Sequence, residues 1–229
     1  MEETSQEHFT RLLLIRHGQT QHNITGVISG HSDVPINENG HQQAQLMAER
    51  VKEHFPLAAI YASPLLRAMQ TAQHLSQAVN LPIQPNPDLI EYGFGELSDQ
   101  PLSDLQNSKP ELYRQIEIWN EAEGSERPSR PHIEGIEPLE AFKMRMQSFT
   151  DLLWEKHRGQ QVAAVTHGGF IKSYVYYLVG GDFSRYVPFW VDNTSLTLVD
   201  FYKKNAIIRF FNDSSHTDTV FDHSRPRLL

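Results

Sequence analysis

The sequence predicts a layered α/β fold, and three observations predict it. Two uninterrupted apolar runs, Leu12-Leu13-Leu14-Ile15 and Val162-Ala163-Ala164-Val165, read as strands buried on both faces, as in parallel sheets. Stretches with helical apolar spacing lie among them, such as Ala44, Met47, Ala48 and Val51. Strands that alternate with helices indicate helices packed on a sheet. A chain of 229 residues is long enough for one large domain with an insertion.

Each element has its own signal. The first strand spans about 11–16. A loop rich in Gly, Asn and Ser follows, and a helix starts at Asn37, an N-cap residue, running to about His54. The second strand covers 58–62. Ser63 is placed as the N-cap of the next helix and Pro64 in its first turn, and that helix ends near Val79. A short strand near Pro82-Ile83-Gln84 leads to Glu91. Residues 96–136 are polar and broken by Pro101, Pro110, Pro128 and Pro131, with one helix over Glu111–Ala122. They read as an insertion over the sheet end. A long helix covers 138–157, followed by the second apolar strand, a helix over Phe170–Leu178, and strands near 195–200 and 206–211. From Asp213 onward the chain is polar and expected to be poorly ordered. There is no internal repeat.

Composition narrows the function. The formal net charge is −8, which argues against nucleic acid as a partner. A phosphorylated substrate would have to rely on a local cationic pocket. There is no cysteine, hence no disulfide, no thiol nucleophile and no Cys-ligated metal. No apolar run approaches membrane-spanning length, and Met1–Thr10 is acidic and polar, unlike a secretory signal. The expectation is a cytoplasmic protein with no membrane partner.

The chemistry concentrates at strand ends. Arg16-His17-Gly18 closes the first apolar run and His167-Gly168-Gly169 closes the later one. Arg67 would sit in the first turn of the helix after the second strand. Ligands of open parallel sheets bind beyond the carboxyl ends of the strands. A neutral imidazole is a nucleophile near pH 7, and a guanidinium fork matches phosphate oxygens. Alone, Arg16-His17-Gly18 reads as a polar strand end. Two histidines and two arginines converging on one sheet end point to phosphoryl transfer through a phosphohistidine.

These residues resemble the histidine phosphatase superfamily, also called the phosphoglycerate mutase-like family. The matching segments are Leu14–Thr20 with Asn23, Gly40–Ala44, Ser63–Ala72, Glu91 with Phe94-Gly95, and Val165–Gly169. Asn193-Thr194-Ser195 is a weaker match. They follow the family's order over residues 11 to about 200. The resemblance implies a three-layer α/β/α fold with a mostly parallel central sheet and an insertion over the C-terminal strand ends. It also implies a single domain. His17 would attack phosphorus, and Arg16, Arg67 and His167 would hold the phosphoryl oxygens. Asn23 would add a neutral donor, and Glu91 would serve as general acid and then base. No cofactor and no metal ion is implied. Gln19 and Thr20 read equally well as residues that simply order the turn, and His22 and His31 read as loop histidines near the site rather than as its support.

The chain also departs from the family. Leu97 and Asp99 stand where many phosphatase members have Trp and Gly. Leu at the first position is shared with the mutases, but Asp88-Leu89-Ile90-Glu91 replaces their Arg-Leu-Asn-Glu, and their paired arginines are missing. Ile136-Glu137-Pro138 stands where Gly-Glu-Ser is frequent. Arg127, Arg130 and His132 of the insertion read as a solvated loop. The expected function is a phosphomonoesterase acting on a small phosphorylated metabolite. The alternatives are a cofactor-dependent phosphoglycerate mutase and a silent protein that binds a phosphorylated ligand. Oligomeric state stays open.

Overall fold

Leu12–Ile15 and Val162–Val165 are fully buried, and they form the two central strands of the sheet. The computed structural model describes residues 9–121, 131–183, 187–203 and 205–217. Its elements are β1 (Phe9–Arg16), α1 (Gln21–Thr25), α2 (Glu38–His54), β2 (Ala59–Ala62), α3 (Leu66–Val79) and β3 (Ile83–Pro85). Then come α4 (Leu102–Ser108), α5 (Pro110–Glu121), α6 (Leu139–Lys156), β4 (Gln161–Thr166), α7 (Gly168–Leu178), β5 (Leu196–Tyr202) and β6 (Ala206–Asp213). The six strands lie in the order β3-β2-β4-β1-β5-β6. The first four are mutually parallel, and β5 and β6 add an antiparallel edge.

Strand alternation sorts the apolar runs onto two faces. Leu12, Leu14, Tyr61, Val162 and Ala164 join Phe142, Met146, Phe149, Phe170 and Tyr174 of α6 and α7. Leu13, Ile15, Ile60, Ala163 and Val165 join Met47, Ala48, Val51, Ala68 and Leu75 of α2 and α3. The result is a three-layer α/β/α arrangement with a mostly parallel sheet, as the sequence predicts. Asn37 caps α2 as expected, its side chain accepting from the Gly40 N–H at 2.8 Å.

Three local expectations need correction. Ser63 does not cap α3, which begins at Leu66 after an N-cap Leu65 that makes no side-chain cap bond. The carboxylate of Asp33 instead accepts from the Leu66 N–H at 2.7 Å. The loop after β1 contains α1, capped by a reciprocal Thr20–Asn23 box. Finally, the stretch from Asp213 that the sequence reads as a poorly ordered tail is ordered as far as Thr217, and 218–229 lie outside the described residues. Asp213 ends β6, its carboxylate accepts from Arg50 Nη1 at 3.0 Å, and a 3-10 turn follows at Ser215–Thr217.

The insertion carries a small core of its own, Leu97, Leu105, Ile116 and Ile133. It is tied to the rest by bridges Val27↔Pro101 and Phe94↔Ile136, and a Lys109–Glu96 ion pair braces it internally. This places it beside Gly30, where a Cβ would come within 2.6 Å of Ser98 Oγ. Leu97 is buried in that core, and Asp99 has φ 63°. A left-handed backbone suits Gly but tolerates Asp, which accounts for the Gly-to-Asp departure. Pro138, in place of the family serine, stands at the N-cap of α6, where it can offer no side-chain cap.

Candidate active site

Register brings the strand ends together. Arg16 of β1 pairs with Thr166 of β4, and Ala62 of β2 pairs with Val165. The ladder runs on past the strands, with His17 N–H donating to the Thr166 carbonyl at 2.9 Å and Ser63 N–H to the Val165 carbonyl at 2.9 Å. His17, Ser63 and His167 therefore leave the sheet side by side. The His17 and His167 rings lie 5.3 Å apart.

Hydrogen bonds fix both tautomers. The His17 Nδ1 is 2.7 Å from the Gly18 carbonyl, which can only accept. Nδ1 therefore carries the proton and Nε2 the lone pair. Burial, and then the charges of Arg67 and Arg16, hold this imidazole well below its ordinary range. His167 is likewise kept neutral, first by burial and then by Arg67. Its Nδ1 accepts from Arg67 Nε at 3.1 Å, so its Nε2–H donates to Ser63 Oγ at 2.7 Å. That bond gives Ser63 its place: its hydroxyl orients a site histidine. A serine before proline at a helix start masks such a role in sequence.

Arg67 is 1% exposed. Besides His167 it grips the Ser32 carbonyl through Nη1 at 2.7 Å and the Gly30 carbonyl through Nη2 at 2.8 Å. A guanidinium has five N–H groups, so two remain for an anion. Arg16 Nη1 donates to the Val191 carbonyl at 2.5 Å. Glu91 is 9% exposed, and its carboxylate accepts from Tyr92 N–H at 2.8 Å and Gly169 N–H at 2.9 Å. A Cβ on Gly169 would fall 2.5 Å from Glu91 Oε1, so any larger residue there would push the carboxylate out of place. Gly18 is similarly tight, with a Cβ 2.5 Å from the Gly40 carbonyl oxygen.

All six candidates, Arg16, His17, Asn23, Arg67, Glu91 and His167, belong to this one network. Asn23 reaches it indirectly: its amide oxygen accepts from Asn193 Nδ2 at 3.1 Å, which also donates to the His17 carbonyl at 3.0 Å. Gln19 and Thr20 order the turn: Gln19 Oε1 accepts from Asn37 and Asn39, and Thr20 caps α1. His31 Nε2 donates to the Glu91 carbonyl at 2.8 Å, whereas His22 bonds Ser29. His132 is exposed on the insertion, and Arg127 and Arg130 lie outside the described residues. Lys172 was not a candidate. It shares a face of α7 with Gly168 and Gly169, and burial lowers its ammonium against the pull of Glu91. No group of three or more His, Asp or Glu among the described residues could hold a metal ion.

Comparison with known proteins decides the family. The chain matches the histidine phosphatase superfamily (branch 1) over residues 12–214. It belongs to that superfamily. As a member of the histidine phosphatases it is a phosphoric monoester hydrolase. It is 28% identical over 207 residues to phosphoserine phosphatase 1 of Hydrogenobacter thermophilus, covering 90% of this chain and 93% of that one. It is 31% identical to phosphoglycerate mutase-like protein 4 of Arabidopsis thaliana, over 72% of this chain and 69% of that one. A solved phosphoserine phosphatase from Entamoeba histolytica, in complex with 3-phosphoglyceric acid, superposes with a TM-score of 0.74 at 28% identity, covering 91% of this chain and 99% of that one. No helix among the described residues is long and apolar enough to cross a membrane.

The neutral histidines of this phosphatase predict an acid-sensitive fold. In an unfolded chain imidazoles titrate near 6.5. Folded His17 and His167 resist protonation, and His216 is pushed down to about 4 by burial and then by Arg50. Below about pH 6.5 the unfolded state takes up protons that the folded state refuses. Stability is then lost as pH falls, by up to about 1.4 kcal/mol per pH unit for each group, with the His216 share ending near pH 4. Urea unfolding between pH 7.5 and 4.5 checks this, and His216→Asn should remove one proton from the uptake. An unfolding free energy that stays level from pH 7 to 5 would show the account to be wrong.

Proposed function

We propose that the chain is a metal-independent phosphomonoesterase that hydrolyses a small phosphorylated metabolite through a phosphohistidine on His17. The observation that carries this is the His17 ring itself. It is neutral, pinned through Nδ1–H to the Gly18 carbonyl, and has a lone pair on Nε2 beside two guanidinium groups. Nε2 attacks phosphorus as the P–O bond to the leaving group breaks. The leaving oxygen takes a proton from the Glu91 carboxyl group. Glu91, now a carboxylate, then takes a proton from water; the new O–P bond forms, the N–P bond breaks, and inorganic phosphate leaves.

Arg16 and Arg67 hold the phosphoryl oxygens and offset charge developing on them, the neutral His167 joins them by turning its Nε2–H from Ser63 to an oxygen, and Asn23 adds a second neutral donor. The two guanidinium groups do the work that a metal ion does elsewhere. They also answer the repulsion expected from a net charge of −8. We read the chain as one domain with residues 96–136 inserted, working in the cytoplasm without nucleic-acid or membrane partners. The relatives named for phosphoserine, and the solved complex with 3-phosphoglyceric acid, support a small phosphorylated acid as substrate.

The relative named as phosphoglycerate mutase-like favours a second reading, an isomerase that returns the phosphoryl group to substrate. The chain lacks the paired arginines which that activity uses to grip a substrate carboxylate. The test measures inorganic phosphate release beside interconversion of 3- and 2-phosphoglycerate primed with 2,3-bisphosphoglycerate, with and without EDTA. Phosphate release untouched by EDTA, with acid-labile, base-stable phosphate trapped on His17, is the expected result. Interconversion far faster than release would install the mutase, and EDTA inhibition reversed by Mg²⁺ would end the metal-free mechanism.

A further inference from the structure

Arg145, on α6, never touches the phosphate-binding groups, yet its guanidinium is saturated. Nε and Nη2 form a fork on Glu137, at 2.7 Å to Oε1 and 2.8 Å to Oε2. Nη1 donates to the carbonyls of Asp88 at 2.8 Å and Ile90 at 2.5 Å, and Nη2 donates to the carbonyl of Glu91 at 3.0 Å. All five N–H groups are thereby used. The plane is clamped over the Phe142 ring, with Cζ 4.4 Å from its centroid.

Glu137 closes the other side of the same segment. Its Oε2 accepts from Gly93 N–H at 3.0 Å, its own N–H donates to the Gly93 carbonyl at 2.8 Å, and its carbonyl accepts from Tyr92 Oη at 2.7 Å. Burial raises the Glu137 carboxyl, but the Arg145 and Gly93 hydrogen bonds outweigh it and hold it below the usual carboxylate range. The pair therefore stays ionised, and the backbone from 88 to 93 is fastened at both ends around Glu91.

We propose that Arg145 and Glu137 are positioning residues for proton transfer: they aim the Glu91 carboxyl group at the leaving oxygen. This rests on Glu91 being the general acid. Nothing in the sequence other than the eight-residue spacing of the two groups connects them, and their further partners, three backbone carbonyls for Arg145 and the Gly93 N–H for Glu137, are marked by no composition signal. A lysine at 145 keeps the charge but offers three donors on a point, too few for the fork and three carbonyls.

The experiment compares Arg145→Lys, Glu137→Gln and Glu91→Gln on two substrates, p-nitrophenyl phosphate and glycerol phosphate. The first has a leaving group that needs little protonation, the second one that needs much. Arg145→Lys and Glu137→Gln should each lower kcat for glycerol phosphate about 30-fold or more and for p-nitrophenyl phosphate less than about 3-fold. The aryl rate doubles as the measure of folded enzyme. Adding Glu91→Gln to Arg145→Lys should cost little more than Glu91→Gln alone, because both act through one proton. Equal losses on both substrates, full activity in Arg145→Lys, or additive losses in the double variant would each overturn the proposal. Should Glu91→Gln itself show no leaving-group dependence, the general-acid reading falls and takes the proposal with it. A split in Glu91→Gln that is absent from Arg145→Lys and Glu137→Gln removes the positioning role alone.

Discussion

His17→Ala is expected to lower turnover by at least about 10⁴-fold while the protein stays folded. Nothing else in the described site can replace it. His167 is also neutral, but its Nδ1 lone pair is engaged by Arg67 Nε and its Nε2 carries the proton toward Ser63. It has no free pair to attack with. The alanine leaves a small void and frees the Gly18 carbonyl, a cost on the order of 1–3 kcal/mol that the fold should withstand. Rates with p-nitrophenyl phosphate and a circular dichroism spectrum decide it. A folded variant retaining more than about a hundredth of wild-type activity would rule out His17 as the nucleophile.

Arg67→Lys should be nearly as damaging, which a conservative exchange of one cation for another would not suggest. The guanidinium holds the Gly30 and Ser32 carbonyls and His167 Nδ1 while keeping two N–H groups for phosphate. An ammonium cannot span those three acceptors, and Ser32 and Gly30 lie on the loop whose Asp33 caps α3. A loss in kcat/KM of about 10³-fold is expected, equivalent to about 4 kcal/mol of transition-state stabilisation. Vanadate, which mimics the pentacoordinate phosphoryl group, should also bind more weakly. A lysine variant within tenfold of wild type would mean that charge alone is what the site requires of residue 67.

Much of this architecture is readable from the sequence alone, and for a physical reason. Strands buried on both faces must be apolar throughout, so β1 and β4 announce themselves. A single capped helix with one apolar face, such as α2, does the same. Failures occur where a residue's partner is distant in sequence. Ser63 carries every mark of an N-cap, but its hydroxyl serves His167, 104 residues away. Asp213 looks like the start of a polar tail, but Arg50 of α2 is waiting for it. The helices α1 and α4 are too short to develop a period. In the site, Arg16, His17, Arg67, Glu91 and His167 are legible because they follow glycine-marked strand ends or family motifs. Arg145 and Glu137 are not, since Arg145 is one charged residue among several on a long helix and Glu137 shows only as the middle of a motif whose neighbours have changed.

The site is stitched from segments that are far apart along the chain. Arg67 and His167 are separated by 100 residues, and Asn193 reaches back 176 residues to the His17 carbonyl. β4 also lies between β1 and β2, so the sheet cannot close until that late strand arrives. Closing a loop of that length costs about 4–5 kcal/mol of chain entropy before any contact repays it. Such topologies fold slowly, because distant pairings come first in cost and last in reward. The anion pocket is completed only when that sheet is. Inorganic phosphate, the product of phosphoric monoester hydrolysis, is expected to bind the finished state in preference to the unfolded one. By mass action it should then favour completion of the fold, which a rise in unfolding temperature with added phosphate would show.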